Sequence, residues 1–497
     1  MRNLALASFL LMSLILSAQE KYDYIWLLGY HPEPGFPNPI IGGSKLDFHY
    51  FPPDTSSFNI PIRFTAIAIM SNFKGYLQFY TNACEIVNKN HEIMTNGSGI
   101  NPGIYHEVYC SFGYPLSQGV LALPFPKNEG RYVLFHYRNE DTGEKVNLLY
   151  SIINMNTPDS LGIVESKNHM LLTDYLGDML TAVRHGNGRD WWIVAPKTDS
   201  GDGYLFLLTP EGIEGPVIRQ LGQYWGPNGA NGQAVFSPDG TKYARMNRIN
   251  GLHLADFDRC SGTFSNAIKI DFPNDTITSA GAAFSPNSRF LYVSASSKVY
   301  QFDTWAGNIA ATKKTVAVYD GFQSPFSTRF FQQMLAPDGK IYITSPSSNN
   351  ILHVIHNPDM AGLACNLEQH GLTLPTLHAF MTPNFPHFRL YDLAGSPCDT
   401  LGIDGPAVAT GEPGGGGKAN LSVQPNPASE TLLIRTDLKE TGVWNIVNIA
   451  GTILNSGVWT DDNQLLLDVH TLPSGLYYFV LTPDTGRPLA TKFSVIH

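Results

Sequence analysis

A short turn recurs three times in one register. Phe236-Ser237-Pro238-Asp239-Gly240 returns as Phe284-Ser285-Pro286-Asn287-Ser288 and again as Leu335-Ala336-Pro337-Asp338-Gly339, at intervals of about 50 residues. A strand-like run follows each copy (242–246, 290–294 and 340–344), then a second one (252–257, 298–302 and 351–355). Pro presets φ at the first central position, Asp or Asn bonds its own backbone, and Gly accepts positive φ. Each copy therefore closes a hairpin between two half-buried strands. One such unit cannot bury both of its faces alone, so neighbours must stack, and a period of this size is the mark of a β-propeller blade.

Weaker copies extend the series toward the N-terminus. Strand-like runs flank turns at 71–75, 126–130 and 185–189, so six turns are countable, near 73, 128, 187, 239, 287 and 338. Six or seven blades fit this count. The run Tyr22–Tyr30 is expected to complete the last blade and so seal the ring. No stretch carries apolar residues at helical spacing over three turns, and residues 22–395 read as β throughout. The expected propeller spans 19–395.

At 497 residues the chain exceeds one ordinary core, so at least two domains are expected. A net charge of −10 without any Lys/Arg cluster argues against nucleic acid or an anionic membrane surface as partner. Residues 1–18 read as a secretory signal peptide: Arg2, then the apolar run Leu4–Leu16, then Ser17-Ala18, with cleavage expected after Ala18. No cysteine stands at that point to take a lipid anchor. No later run reaches the ~18 apolar residues of a spanning helix. The five cysteines form no CxxC, so a thiolate zinc site is not expected, and neither a metal nor a cofactor is assigned. In an exported chain, pairs such as Cys84–Cys110 or Cys365–Cys398 are candidate disulfides, with one thiol left over.

Composition breaks at residues 396–419, a Gly/Pro-rich linker. Its run Glu412-Pro413-Gly414-Gly415-Gly416-Gly417-Lys418-Ala419 is not a phosphate loop: the first Gly and the Ser/Thr are both missing. Residues 420–497 alternate short strand candidates with turns, as in a small Ig-like β-sandwich. Within them Val423-Gln424-Pro425-Asn426-Pro427-Ala428, Ile446-Val447-Asn448-Ile449-Ala450-Gly451, Leu472-Pro473-Ser474-Gly475-Leu476-Tyr477-Tyr478 and Lys492-Phe493 follow in order. This series resembles the C-terminal sorting domain of the type IX secretion system. The resemblance assigns the signal to Pro425, Asn426, Pro427, Gly451, Leu472, Gly475, Tyr477 and Lys492. It implies Sec export, passage through the outer membrane on the secretion machinery, cleavage of the domain, and cargo held at the cell surface or released. Residues 22–400 resemble uncharacterised propeller-like cargo of the same system through Tyr80–Cys84, Arg184–Trp192, Phe257–Cys260 and Ala336–Tyr342; that resemblance brings no activity.

Catalytic signatures are missing. His91-Glu92 lacks the second His of HExxH, and no GxSxG elbow, cysteine-protease pairing or EF-hand loop occurs. The densest polar stretch is His185–Asp190, followed by Trp191-Trp192. Read functionally, His185, Arg189 and Asp190 line a ligand site, with Trp191 or Trp192 as a stacking platform for a sugar. Read structurally, they form a blade turn, with Arg189 and Asp190 paired and the tryptophans packed between blades. His91, Glu92 and Asn96-Gly97-Ser98-Gly99 lie in a loop of the kind that hosts binding sites. Asp239 and Asp338 suit turn capping better than calcium. Two functions follow: a non-enzymatic surface propeller binding a glycan or a protein in adhesion or scaffolding, or a secreted hydrolase or lyase of polysaccharide or peptide. The second needs carboxylates or histidines converging in the central channel.

Overall fold

The computed structural model describes residues 20–31, 41–64, 67–141, 145–226, 232–273, 275–401, 421–436, 441–448, 453–460, 464–483 and 489–497. The expected signal peptide, residues 1–18, and the Gly-rich part of the expected linker lie outside them.

Seven antiparallel sheets follow one another in chain order: two of three strands, then five of four. The innermost strands of the second to seventh sheets are Ala68–Ser71, Val120–Pro124, Thr181–Arg184, Gly232–Phe236, Ala280–Phe284 and Gln333–Leu335, and they are almost wholly buried. The outer strands face water. Gly212–Trp225, for example, carries a run of exposed residues from Glu214 to Val217. Apolar clusters fill the spaces between sheets. One spans the second to fourth sheets, one the fourth and fifth, one the fifth and sixth, and one the sixth and seventh. A further cluster joins Trp26, Leu46 and Phe48 of the first sheet region to Tyr342, Leu352 and Leu374 of the seventh, which closes the ring. The fold is a β-propeller.

The repeated turn behaves as its chemistry requires. The Gly240 amide donates to the Ser237 carbonyl at 2.8 Å, and Asp239 Oδ1 accepts the Thr241 amide at 3.0 Å. Gly240 sits at φ 72°, Gly339 at 76° and Ser288 at 63°, so the second copy places a serine where glycine is favoured. Ser288 Oγ accepts the Asp239 amide at 3.1 Å, tying two successive turns together.

Six turns and seven sheets are reconciled by the first sheet. Its strands Ile25–Gly29, Gly43–Asp47 and Asp54–Phe58 pair in that order. The Ser71 amide, at the end of Ala68–Ser71, donates to the Tyr22 carbonyl just ahead of Ile25–Gly29. Ile25–Gly29 therefore runs opposite to the neighbouring innermost strand. It is a second strand without a first, so it has no leading hairpin to count. This corrects the expected closure. The N-terminal run pairs with Gly43–Asp47 inside the first sheet, and the seventh sheet is built from four consecutive strands of its own.

Two further expectations change. The region 22–395 is not wholly β: Ile104–Tyr109 forms a helix, and Ile309–Thr312 and Gly362–Cys365 form 3₁₀ turns. These are too short for a periodic signal. Cys84–Cys110 is a disulfide, but Cys398 pairs with Cys260 rather than Cys365. Cys365 is buried as a free thiol in the cluster between the sixth and seventh sheets, while the chain after the seventh sheet crosses the ring and emerges beside Cys260.

After the linker, Leu421–Gln424, Thr431–Thr436 and Gln464–Asp468 form one sheet. Ile453–Trp459, Gly442–Asn448, Gly475–Pro483 and Leu489–Val495 form a second. Leu432, Ile434, Trp444, Ile446, Phe479 and Phe493 pack between them as a core.

Candidate functional site

The centre of the ring is held by the chain itself. Beyond the seventh sheet, the Thr382 amide donates to Gln332 Oε1 at 3.1 Å and the Asn384 amide to the Ile67 carbonyl at 3.1 Å. Asn384 Nδ2 donates to the Val120 and Leu180 carbonyls, both at 2.9 Å, and its Oδ1 accepts from Gln118 Nε2 at 3.1 Å. One side chain thus bridges the leading ends of the third and fourth sheets. Gln118 continues the belt to Ala234, and Gln233 carries it to Ala282 and Gln333. The segment then descends to the turn side. Phe388 packs on Trp191 and Tyr22, and Arg389 forms a two-pronged ion pair with Asp23 at 2.6 and 2.7 Å. Arg259 donates to the Tyr391 carbonyl, and the Leu393 amide to the Gly186 carbonyl at 2.8 Å. The segment lies beside Ile25–Gly29, where the missing innermost strand would run. Pro383 and Pro386 lack the amides a ladder requires, so side chains hold it instead. What remains on the axis is a cavity of about 50 Å³ bounded by Thr181, Phe236, Phe284, Met334, Phe385 and His387. Burial, then Arg389, Arg259 and Arg184, push the His387 imidazole down to about 3.

The stretch His185–Trp192, read from sequence either as a ligand site or as a blade turn, is a turn with internal partners. His185 Nδ1 accepts the Asn187 amide at 3.0 Å, and its Nε2 meets the Cys260 carbonyl at 3.1 Å. Arg189 donates to Asp190 through Nε at 2.6 Å and Nη2 at 3.0 Å, and Asn187 Nδ2 donates to Asp190 Oδ2 at 2.7 Å. Trp191 is buried with the Arg184 guanidinium over its ring at 4.3 Å. Trp192, half-buried, donates its indole N–H to the Arg259 carbonyl at 2.8 Å and lies 5.4 Å from the His185 ring. The structure brings all five together, and their polar atoms face the chain's own carbonyls, amides and carboxylate. Gly188 packs directly against Asp392. This turn is the seat on which the axial segment docks.

The other loop candidates are similarly engaged. His91 stacks on Phe58 at 4.5 Å and meets the Tyr80 hydroxyl at 3.0 Å. Asn96 Nδ2 donates to the Val164 carbonyl at 2.7 Å, and Lys167 Nζ to the Asn96 and Ser98 carbonyls. Asp338 accepts the Lys340 amide at 3.1 Å and the Tyr342 hydroxyl at 2.8 Å. His106 lies within 4.8 Å of the sulfurs of Cys84 and Cys110, but these are joined as a disulfide and offer no thiolate.

A crevice of about 840 Å³ opens on the turn side between the second and third sheets. Phe73, Phe125, Tyr22, Tyr132, Asn72, Gln78, Asn128 and Asn156 are among the residues that line it, with Asn72 Oδ1, Gln78 Nε2 and Asn156 Nδ2 already bonded to backbone. Burial pushes the Tyr22 and Tyr132 hydroxyls well up, so both remain neutral donors. Lys89, Lys127 and Glu129 stand on the rim, and Arg131 is paired with Glu165. Nothing local marked this crevice in the sequence, because it joins two hairpins from successive sheets.

The C-terminal motifs converge on one clasp. Asn426 Nδ2 donates to the Lys492 carbonyl at 3.2 Å, and its Oδ1 accepts the Ser494 amide at 2.9 Å. Pro425 and Pro427 flank it, exposed, each after a cis peptide bond. Tyr477 donates to the Pro473 carbonyl at 2.6 Å and packs on Phe493. The Leu472 carbonyl meets His497 Nε2 at 2.9 Å, and Gly475 begins the strand that pairs with Leu489–Val495. Lys492 stands exposed opposite Tyr478. Gly451 lies outside the described residues.

Residues 422–495 match the family model described as the secretion system C-terminal sorting domain. No curated protein sequence matches the chain. Among solved structures, a protein from Lactobacillus plantarum aligns at 11% identity and a TM-score of 0.39, over 72% of this chain and 98% of its own. The β-propeller domain of Cps50 (Swd1) from Myceliophteria thermophila aligns at 8% and 0.35, over 66% and 93%. A gluconolactonase from Xanthomonas campestris aligns at 11% and 0.30, over 64% and 92%. The chain is a β-propeller cargo followed, at residues 422–495, by a member of the type IX secretion system C-terminal sorting domain family.

Proposed function

We propose that this protein is delivered through the Sec route and then the type IX machinery, and that its propeller is a non-enzymatic recognition module at the cell surface or outside the cell. The sorting domain supports the destination. For recognition, the carrying observation is the crevice between the second and third sheets. Asn128, Asn72 Nδ2, Gln78 Oε1 and the neutral hydroxyls there can pair with sugar hydroxyls, beside the Phe73 and Phe125 rings, which suit the apolar side of a pyranose. A saccharide is therefore the favoured ligand class. A hydrolase would need acids and bases converging on the axis. There, Asp23 is committed to Arg389, and Asn384 with its glutamine neighbours is committed to backbone.

Two experiments test this reading. Deleting residues 420–497 should leave the chain in the periplasm; normal secretion of the truncated chain would overturn the delivery assignment. In affinity electrophoresis against immobilised polysaccharides, Phe73→Ala and Phe125→Ala should each reduce retardation at least several-fold. Unchanged retardation would remove the crevice from the binding site.

A further inference from the structure

A set of hydrogen-bond donors without acceptors lies between the fourth and fifth sheets. Arg245, in the middle of the strand Lys242–Asn247, is 1% exposed, and among the described residues none of its Nε, Nη1 and Nη2 atoms has a hydrogen-bond partner. Its guanidinium lies over the Trp225 ring at 4.6 Å. His253 stands directly across the ladder from Arg245, its ring edge-on to Trp225 at 4.7 Å, with the Asn250 backbone as its one polar neighbour in reach among the described residues. Two residues along the same strand face, Asn247 leaves its Nδ2 unpartnered, as does Asn250 in the following turn. The Asn247 and Asn250 oxygens are already used, by the Ile249 and Asn250 amides and by the Gly226 amide. The Tyr243 hydroxyl, also on this face, is buried and unpartnered.

Such a set is costly as it stands. A buried guanidinium is tolerated when a carboxylate or several carbonyls take its protons, and unmade bonds in a dry interior are penalised far more than made ones are rewarded. The neighbouring ionisable groups do not compensate. Tyr243 is neutral, its hydroxyl pushed up to about 12 by burial, and His253 is pushed down to about 4 by burial and by Arg245 itself. Asp271 and Lys269 act on His253 from the adjoining chain with opposite signs. The environment therefore carries one uncompensated positive charge among donors. The site also lies just under the surface, since Tyr224 and Ile249, each one residue from a member of the set, are 60% and 52% exposed.

We propose that Arg245, with His253, Asn247 and Asn250, binds the carboxylate of a small acid between the fourth and fifth sheets. A carboxylate is the match because the planar guanidinium offers two parallel N–H groups to two oxygens while its face stays on Trp225. Amide donors on Asn247 and Asn250 can reach the outer lone pairs. This inference is independent of the saccharide crevice, which lies between other sheets.

The test is thermal unfolding of the full chain against sodium acetate, with sodium chloride and sodium phosphate at equal ionic strength as comparison. Acetate should raise the midpoint along a saturating curve, as binding to the native state alone requires. Chloride should give no saturating component. Arg245→Met should abolish the saturating component while melting no lower than the wild type without acetate. Asn250→Ala, at the rim of the set, should keep saturation with affinity weakened several-fold, which covers the case of a Met variant that fails to fold. Equal saturation by phosphate or chloride, no saturation with acetate, or an unaltered curve in both variants would each overturn the proposal.

Discussion

Gly240 and Gly339 occupy the same turn position with nearly the same backbone, φ 72° and 76°, yet they meet different surroundings. A Cβ on Gly240 would lie 2.7 Å from Arg259 Cδ and 2.8 Å from Leu390 Cδ2, whereas one on Gly339 would meet nothing within 4 Å. Gly339→Ala should cost about 1 kcal/mol, the backbone penalty alone. Gly240→Ala should cost about 2–4 kcal/mol, because overpacking against the axial segment is added. Urea unfolding of both variants checks this difference. The turn was legible in sequence because its chemistry is local: Pro, Asp and Gly act on their own backbone. His185 to Trp192 showed the limit of the same method. Composition marked the stretch, but its partners are Cys260, Arg259 and Leu393, so whether the stretch binds or braces depended on residues far along the chain. Arg245 was passed over for a related reason: its identity stands in the text, but its lack of an acceptor is visible only in three dimensions.

At the scale of elements, the axial segment decides how the ring is sealed. Asn384→Ala removes the donors to Val120 and Leu180 and the acceptor for Gln118. Leaving these buried groups unpaired should lower stability by about 2–4 kcal/mol. A fall in the urea midpoint at an unchanged slope would be the expected record, and a change within error would show that water replaces the amide without loss. The succession of sheets followed from the repeat, which left six or seven blades open, but the closure did not. Pro383 and Pro386 argue against a strand in any sequence reading. Where a non-strand segment docks is set by carbonyls 264 and 204 residues away, which no periodicity reports. The outer strands were harder to read than the inner ones, since Gly212–Trp225 is largely exposed, Ile163–Asp174 is mostly half-buried, and both carry little apolar alternation. In the C-terminal module the order of motifs was readable because Asn426 is tied to the last strand, and both ends of that clasp lie in the quoted series.

For the whole molecule, acid is the informative variable. Among the described residues burial holds six imidazoles down: His136 and His387 to about 3, His253, His353 and His378 to about 4, and His91 below its ordinary value. Each is lower folded than unfolded, so the unfolded chain binds more protons as pH falls below about 6.5. Stability is therefore full above that pH and is lost progressively down toward pH 4. Each of the first five contributes a slope of about 1.4 kcal/mol per pH unit in that window. Unfolding midpoints between pH 7.5 and 4 should decline accordingly, and a flat profile would mean that these rings accept protons inside the fold.

The Cys260–Cys398 bond spans 138 residues and encloses the sixth and seventh sheets together with the axial segment. Consider a pull on the chain end beyond residue 398, the direction of load for a cargo tethered by its C-terminal side. Without the bond, tension would unpeel the axial segment first and open the ring between the first and seventh sheets. With the bond, tension leaves the axial segment slack and enters the fifth sheet at the hairpin 258–263. The protein then resists as a closed loop, and its seal bears no load until a covalent bond is broken.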